Sequence, residues 1–226
     1  VAADATAEDV DVMREPVFFT SMAGFAPGIG DFRPANCPFN IISSRLDCPL
    51  ISHGDVTITR SYQFWNAADE VQQAYDPLTT AKANIQVSID GSRTLPNWSA
   101  TVERDRDMTA TGLANTETQR TWNGTGSSHV THSRHTENGP ERSYDLACAR
   151  TVTDVVVPVP NGGDAWPLSG TVTRECTVTF VGGPRDGQSV TRTITVTFNG
   201  TQVATLTVGG KTFDLDLRNR HRGPRP

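Results

Sequence analysis

"RSYDLACARTVTDVVV" (residues 142–157) and "SGTVTRECTVTF" (residues 169–180) alternate apolar and polar residues, and each carries one cysteine, Cys148 and Cys176. A period of two marks a β-strand with one buried face. If the two cysteines are cross-strand neighbours joined by a disulfide, Leu146 faces Val178, Tyr144 faces Phe180 and Val152 faces Val172. A slip of one residue would turn all of these to the wrong face. The same register extends outward. "QSVTRTITVTF" (188–198) then sets Cys176 opposite Ile194 and Arg174 opposite Val196. A three-residue "NGT" loop sets Val196 against Ala204 and Ile194 against Leu206. A "GG" turn sets Leu206 against Phe213 and Ala204 against Leu215. Short loops between successive alternating strands predict an antiparallel meander.

The face opposite the cysteines is mostly threonine: Thr171, Thr173, Thr177, Thr179, Thr191, Thr193, Thr195, Thr197, Thr205 and Thr207. Threonine suits a pleated surface in water. An ordered hydroxyl array for ice or polysaccharide needs a flatness that twisted antiparallel sheets lack; a face docked on a partner is the remaining reading.

Before residue 140 the pattern is less regular. "DVTITRSYQFW" (55–65) places Val56, Ile58, Tyr62 and Phe64 on one face, and "ANIQVSID" (83–90) and "NWSATVERD" (97–105) read as further strands. "NAADEVQQAYDPL" (66–78) reads as one or two helical turns ending before Pro77. The stretch from Thr109 to Thr136 is polar and predicts one or two exposed strands. The fold expected is all-β: an antiparallel meander of about eight to ten strands curled into a sandwich or half-barrel, behind an irregular N-terminal extension. Residues 1–50 form that extension with a disulfide loop, 51–217 a single β domain, and 218–226 an Arg-rich tail.

Among its 226 residues the chain has 18 Arg and 2 Lys (Lys82 and Lys211) and a net charge of −5. An acidic balance argues against a nucleic-acid binder, which would carry a basic stripe. No run of 18 apolar residues is present, as a spanning helix would need. The chain starts at Val1 rather than Met, and its lead "VAADATAEDVDVMRE" reads as the start of a mature chain after removal of a signal segment, although a trimmed chain would look the same. The four cysteines show no CxxC spacing and fall into two couples, Cys37 with Cys48 and Cys148 with Cys176. They predict two structural disulfides in an oxidising, extracytoplasmic compartment.

Catalytic signatures are lacking: no GxSxG, HExxH, P-loop or GxGxxG occurs. The sequence therefore predicts no enzyme, no cofactor and no metal. "HVTHSRH" supplies His129, His132 and His135, which would stack for a metal on a helix. Local composition favours a strand, where His132 points away from the other two and His129 lies about 20 Å from His135. Asn97, Asn123 and Asn199 match the glycosylation sequon, and Asn199-Gly is better explained as a turn. The residues that stand out are Arg150 and Arg174, opposed on the apolar face. Like charges there are destabilising unless an anion or a carboxylate sits between them. The sharp reading is an anion-binding site, and the plain one is that both snorkel to the rim or pair elsewhere.

The two ends pose a separate problem. Phe18, Phe19, Phe25, Phe32 and Phe39 crowd into a segment broken by Gly and Pro, where no helix or strand face could collect them. They predict either a lid over the sheet, pinned by a Cys37–Cys48 loop, or anchors for a partner. The C-terminal "LRNRHRGPRP" carries Arg218, Arg220, Arg222 and Arg225, suited to acidic partner loops or lipid headgroups.

The lead "VAADATAEDVDVMRE" and the ending "RNRHRGPRP" resemble exported, lipoprotein-like proteins of gemmatimonad bacteria. Within that group, a small β-rich chain without chemistry is similar to membrane-extrinsic subunits of the photosynthetic reaction centre–light-harvesting complex. The resemblance implies a periplasmic subunit, peripheral to the membrane, that clamps reaction centre and antenna subunits and binds no pigment. It carries over no site residue. The function expected is thus a non-catalytic structural subunit docked on a membrane protein complex. The alternatives are a periplasmic β protein that binds a small ligand or an anion, and a secreted hydrolase or carbohydrate-binding module.

Overall fold

A computed structural model describes residues 36–114, 117–136, 139–159 and 166–217, except for the side chains of 135–141. The described residues form thirteen strands in one antiparallel sheet that does not close into a barrel. In chain order these are β1 (Phe39–Asn40), β2 (Arg45–Asp47), β3 (Ile51–His53), β4 (Val56–Asn66), β5 (Val71–Gln72), β6 (Thr80–Leu95) and β7 (Trp98–Thr111). Then follow β8 (Gln119–Thr136), β9 (Gly139–Pro158), β10 (Ser169–Val181), β11 (Ser189–Thr197), β12 (Val203–Val208) and β13 (Lys211–Asp216). From β6 to β13 each strand pairs with the next, while β4 pairs with β6 along one edge and shares its other edge among β2, β3 and β5.

The all-β meander is as expected, and so are both disulfides, Cys37–Cys48 and Cys148–Cys176. Around the second, Leu146 pairs with Val178, Tyr144 with Phe180, Val152 with Val172 and Arg150 with Arg174. The two-residue turn between β12 and β13 has both glycines at positive φ, 55° at Gly209 and 78° at Gly210. That backbone matches strand twist and fixes the pairing, and Leu206 meets Phe213 and Ala204 meets Leu215 as expected.

The two hairpins with longer loops differ from expectation by two residues. Arg174 pairs with Ile194 and Cys176 with Arg192, while Val196 pairs with Leu206 and Ile194 with Val208. The loop after β11 takes up residues 198–202 rather than "NGT" alone, with the Asn199 side chain accepting from the Thr201 amide at 3.1 Å. A shift of two leaves every side chain on its face, so alternation alone cannot detect it.

Other expectations also give way. The segment 66–78 is not helical: it turns back to form β5, and Tyr75 packs edge-on against Phe64 at 5.6 Å between ring centroids. An aromatic contact on the core outweighs weak helix propensity. The polar stretch 109–136 contains β8, and Arg120 and Trp122 within it are buried. In β9 strict alternation also fails, because Asp154 (φ 47°) forms a bulge opposite Gly170 (φ 98°). Core-facing positions step from even numbers (Leu146, Cys148, Val152) to odd ones (Val155, Val157) across it. Gly170 is required there, since a Cβ would lie 2.3 Å from the Asp154 carbonyl oxygen. Asn123 closes the bulge by accepting from the Asp154 amide at 2.8 Å and donating to its carboxylate at 2.9 Å.

One face of the sheet bears the core. At the end where β4, β7 and β9 finish, Phe64, Ala83, Ala110 and Val155 are fully buried, covered by Tyr75, Leu113, Phe198 and Leu217 from the flanking loops and strand ends. A second cluster, Leu146, Val178 and the Cys148–Cys176 pair, lies farther along β9 and β10. The threonine residues named above share the other face, several bonded across strands, as between Thr177 and Thr191 at 2.8 Å. Among the described residues no helix is long and apolar enough to cross a membrane.

Candidate functional site

Between the two clusters the core face turns basic. The strand register places Arg60, Val87, Arg106, Gly126, Arg150, Arg174, Ile194, Val208 and Lys211 in one row across the strands. In the adjacent row, Ile89, Arg104, Ser128, Cys148, Cys176 and Arg192 are successive partners. Six arginines and a lysine thus form a belt on the face that also bears the core.

The carboxylates go to the other face. Asp90, Glu103, Asp105, Asp107, Asp145 and Glu175 alternate with core-facing residues, so the pleat turns them away. The segment Glu103-Arg104-Asp105-Arg106-Asp107 shows the rule in five residues: alternating sign along a strand becomes opposite charge on opposite faces. An arginine on the polar face, Arg45, lies among polar partners, donating to Ser61 Oγ at 2.8 Å and Asn84 Oδ1 at 2.7 Å. Burial lowers its pKa, while Asp107 and Asp47 act in the opposite sense.

Arg150 is the centre of the belt. Burial, reinforced by the charges of Arg106 and Arg174, pushes its pKa down to about 9. Its Nη2 reaches 3.8 Å from Met108 Sδ, so the side chain leans over Gly124 and Gly126 towards β7. Gly124 lets β8 lie close against β7 there, since a Cβ would run into the Asp107 carbonyl oxygen and Met108 Sδ. Arg174 leans the same way, its Nη2 3.5 Å from Cys148 Sγ. Guanidinium groups on adjacent strands can grip a carboxylate or phosphate bidentately, which suits anion recognition rather than bond-making chemistry.

The sequence singled out Arg150 and Arg174, and the fold sets them opposite each other. It did not single out Arg60, Arg104, Arg106 or Arg192, which come from strands distant in the chain; the alternating charge of 103–107 was the available signal. Phe18, Phe19, Phe25, Phe32, Arg218, Arg220, Arg222, Arg225 and the side chain of His135 lie outside the described residues. Phe39 packs against the main core cluster. His132 faces the core side, accepting a hydrogen bond from the Trp98 indole N–H and stacking on Tyr144 at 4.9 Å. His129 faces the polar side, 2.7 Å from Asp145 Oδ2, and that hydrogen bond raises its pKa. It borders a shallow depression with Glu103, Asp105 and Glu175. Among the described residues no three His, Cys, Asp or Glu side chains are placed to hold a metal.

A buried ion pair also escaped the sequence reading. Arg120 donates from Nε and Nη2 to the two Glu117 carboxylate oxygens at 2.6 and 2.5 Å, with both side chains only 1% exposed. It anchors the start of β8 to the core end of the sheet.

In comparisons with protein-family models, curated proteins and solved structures, nothing matches this chain.

Proposed function

We propose that the protein is a non-catalytic, extracytoplasmic docking subunit that holds an acidic partner on its basic belt. The observation that carries this reading is the sorting of charge by face, arginines with the core and carboxylates away from it. Like charges gathered on one face cost stability, and an acidic partner offsets that cost. Two disulfides are compatible with an oxidising compartment outside the cytoplasm. The resemblance of the chain ends makes the photosynthetic reaction centre–light-harvesting complex the first assembly to test. There the Phe-rich segment and Arg-rich tail would add apolar and salt-sensitive contacts.

The test is co-purification from detergent-solubilised native membranes, comparing wild type with Arg150→Glu/Arg174→Glu. Retention of a pigmented complex by wild type and its loss in the variant is the expected result. Equal retention by both would remove the belt from the interface. The second reading, a small-anion binding protein, rests on the same arginines. A stoichiometric small anion in native mass spectrometry, without a protein partner, would favour it.

A further inference from the structure

The sheet ends differently at its two edges. On one side, the outer edge of β4 is taken up by the short strands β2, β3 and β5. On the other, β13 (Lys211–Asp216) pairs with β12 and ends the strand order. The Leu217 amide donates to the Gln202 carbonyl oxygen at 2.9 Å, continuing the ladder between β12 and β13. Alternate pairs of an antiparallel ladder are hydrogen-bonded. The odd-numbered residues of β13 therefore bond to β12, while the backbone groups of Thr212 and Asp214 point outward. Such a row is a template for another strand unless a bulge, a proline or lysines blunt it. Here β13 has no bulge and no proline, its lysine sits beside the turn, and Phe213 near its middle is 51% exposed.

We propose that β13 pairs antiparallel with β13 of a second copy of this chain, about a two-fold axis beside Phe213. The proposal goes beyond the docking reading and does not depend on it. A two-fold pairing is self-complementary, so the residue at the axis fixes the register. An axis at Asp214 sets that carboxylate opposite its own copy, a like-charge pair that destabilises. An axis at Thr212 sets Asp214 opposite Gly210, which the turn holds at φ 78° and so keeps out of the ladder. An axis at Phe213 meets neither obstacle. Thr212 of each copy then faces Asp214 of the other, and these two pairs exchange four backbone hydrogen bonds. The threonine hydroxyls are placed to donate to the carboxylates opposite them. Phe213 meets its own copy in the closer, non-hydrogen-bonded position, with Lys211 diagonal to the other copy's ring. The exposed ring is thereby taken out of water. This match of the strand to itself is what selects a second copy over an unrelated peptide.

The experiment uses the full chain in sedimentation velocity over a concentration series. Wild type should shift from monomer to dimer as concentration rises, and Thr212→Pro should stay monomeric. The Thr212 amide makes no bond to β12, so proline there should leave the thermal melt unchanged. Cross-linking tests the register independently. All four native cysteines are in disulfides, so an introduced cysteine is the one free thiol. Phe213→Cys places two thiols across the axis at about 4.5 Å between Cα atoms, within disulfide reach, and mild oxidation should give a covalent dimer. Lys211→Cys should not cross-link, because its two copies are offset by four residues, about 14 Å along the strands. A wild type that remains monomeric up to about 1 mM would overturn the proposal. So would a dimer that survives Thr212→Pro, or equal cross-linking at the two cysteines. None of these results bears on the docking reading.

Discussion

The core face has two regions built by the same alternation and put to opposite uses. At the end marked by Phe64, Ala110 and Val155, the loops close over inward side chains and leave them fully buried. Across the middle, the corresponding positions of neighbouring strands carry Arg60, Arg106, Arg150 and Arg174. Alternation decides which way a side chain points, and the surrounding structure decides whether that direction leads to burial or display. Burial is concentrated in the first region and positive charge in the second. Substitutions in the two should therefore move stability in opposite directions.

The largest effect is expected where charge and core meet. Glu117→Gln leaves the Arg120 guanidinium inside the core end without its bidentate partner, at a cost of about 3–5 kcal/mol by chemical denaturation. A loss below about 1 kcal/mol would mean the pair is not part of the core end.

Next comes the disulfide of the second cluster, beside the belt. Cys148→Ala/Cys176→Ala should cost on the order of 2–4 kcal/mol, because it releases a cross-link between adjacent strands. The core end has its own contacts, so Trp122 fluorescence should still report a single unfolding transition. Two transitions would show that the regions unfold separately.

Arg150→Met should reverse the sign, raising stability by about 1 kcal/mol while abolishing anion binding, since it removes one of three crowded cations. Destabilisation by Arg150→Met would show that the belt is structural.

The smallest effect belongs to the polar face. The raised pKa of His129 means that its bond to Asp145 stabilises the fold fully at acid pH. That contribution is lost as pH rises through the folded-state value, above the ordinary histidine pKa of about 6.5. His129→Gln should flatten this shallow decline in a pH series of thermal melts. A steep decline that persists in the variant would assign it to another group.

By itself the sequence determined the faces. Period-two alternation sorted Leu146, Cys148 and Val178 from the threonines, the assumption of a Cys148–Cys176 bridge set the register of β9 on β10, and the Gly209–Gly210 turn that of β12 on β13. Those are local properties, carried by neighbours in the chain or by a two-residue turn. Only the tertiary structure decided the rest. Longer loops at 182–188 and 198–202 allowed register shifts of two that cost no change of face, and the bulge at Asp154 re-phased β9. Burial of Arg120 and Trp122 within a polar stretch depended on where β8 meets the core end. The belt is the clearest case: Arg60, Arg106, Arg150 and Arg174 are separated by 46, 44 and 24 residues in the chain. They become neighbours in one row because hairpin after hairpin sums its register across the sheet, a long-range quantity that no single stretch of sequence carries.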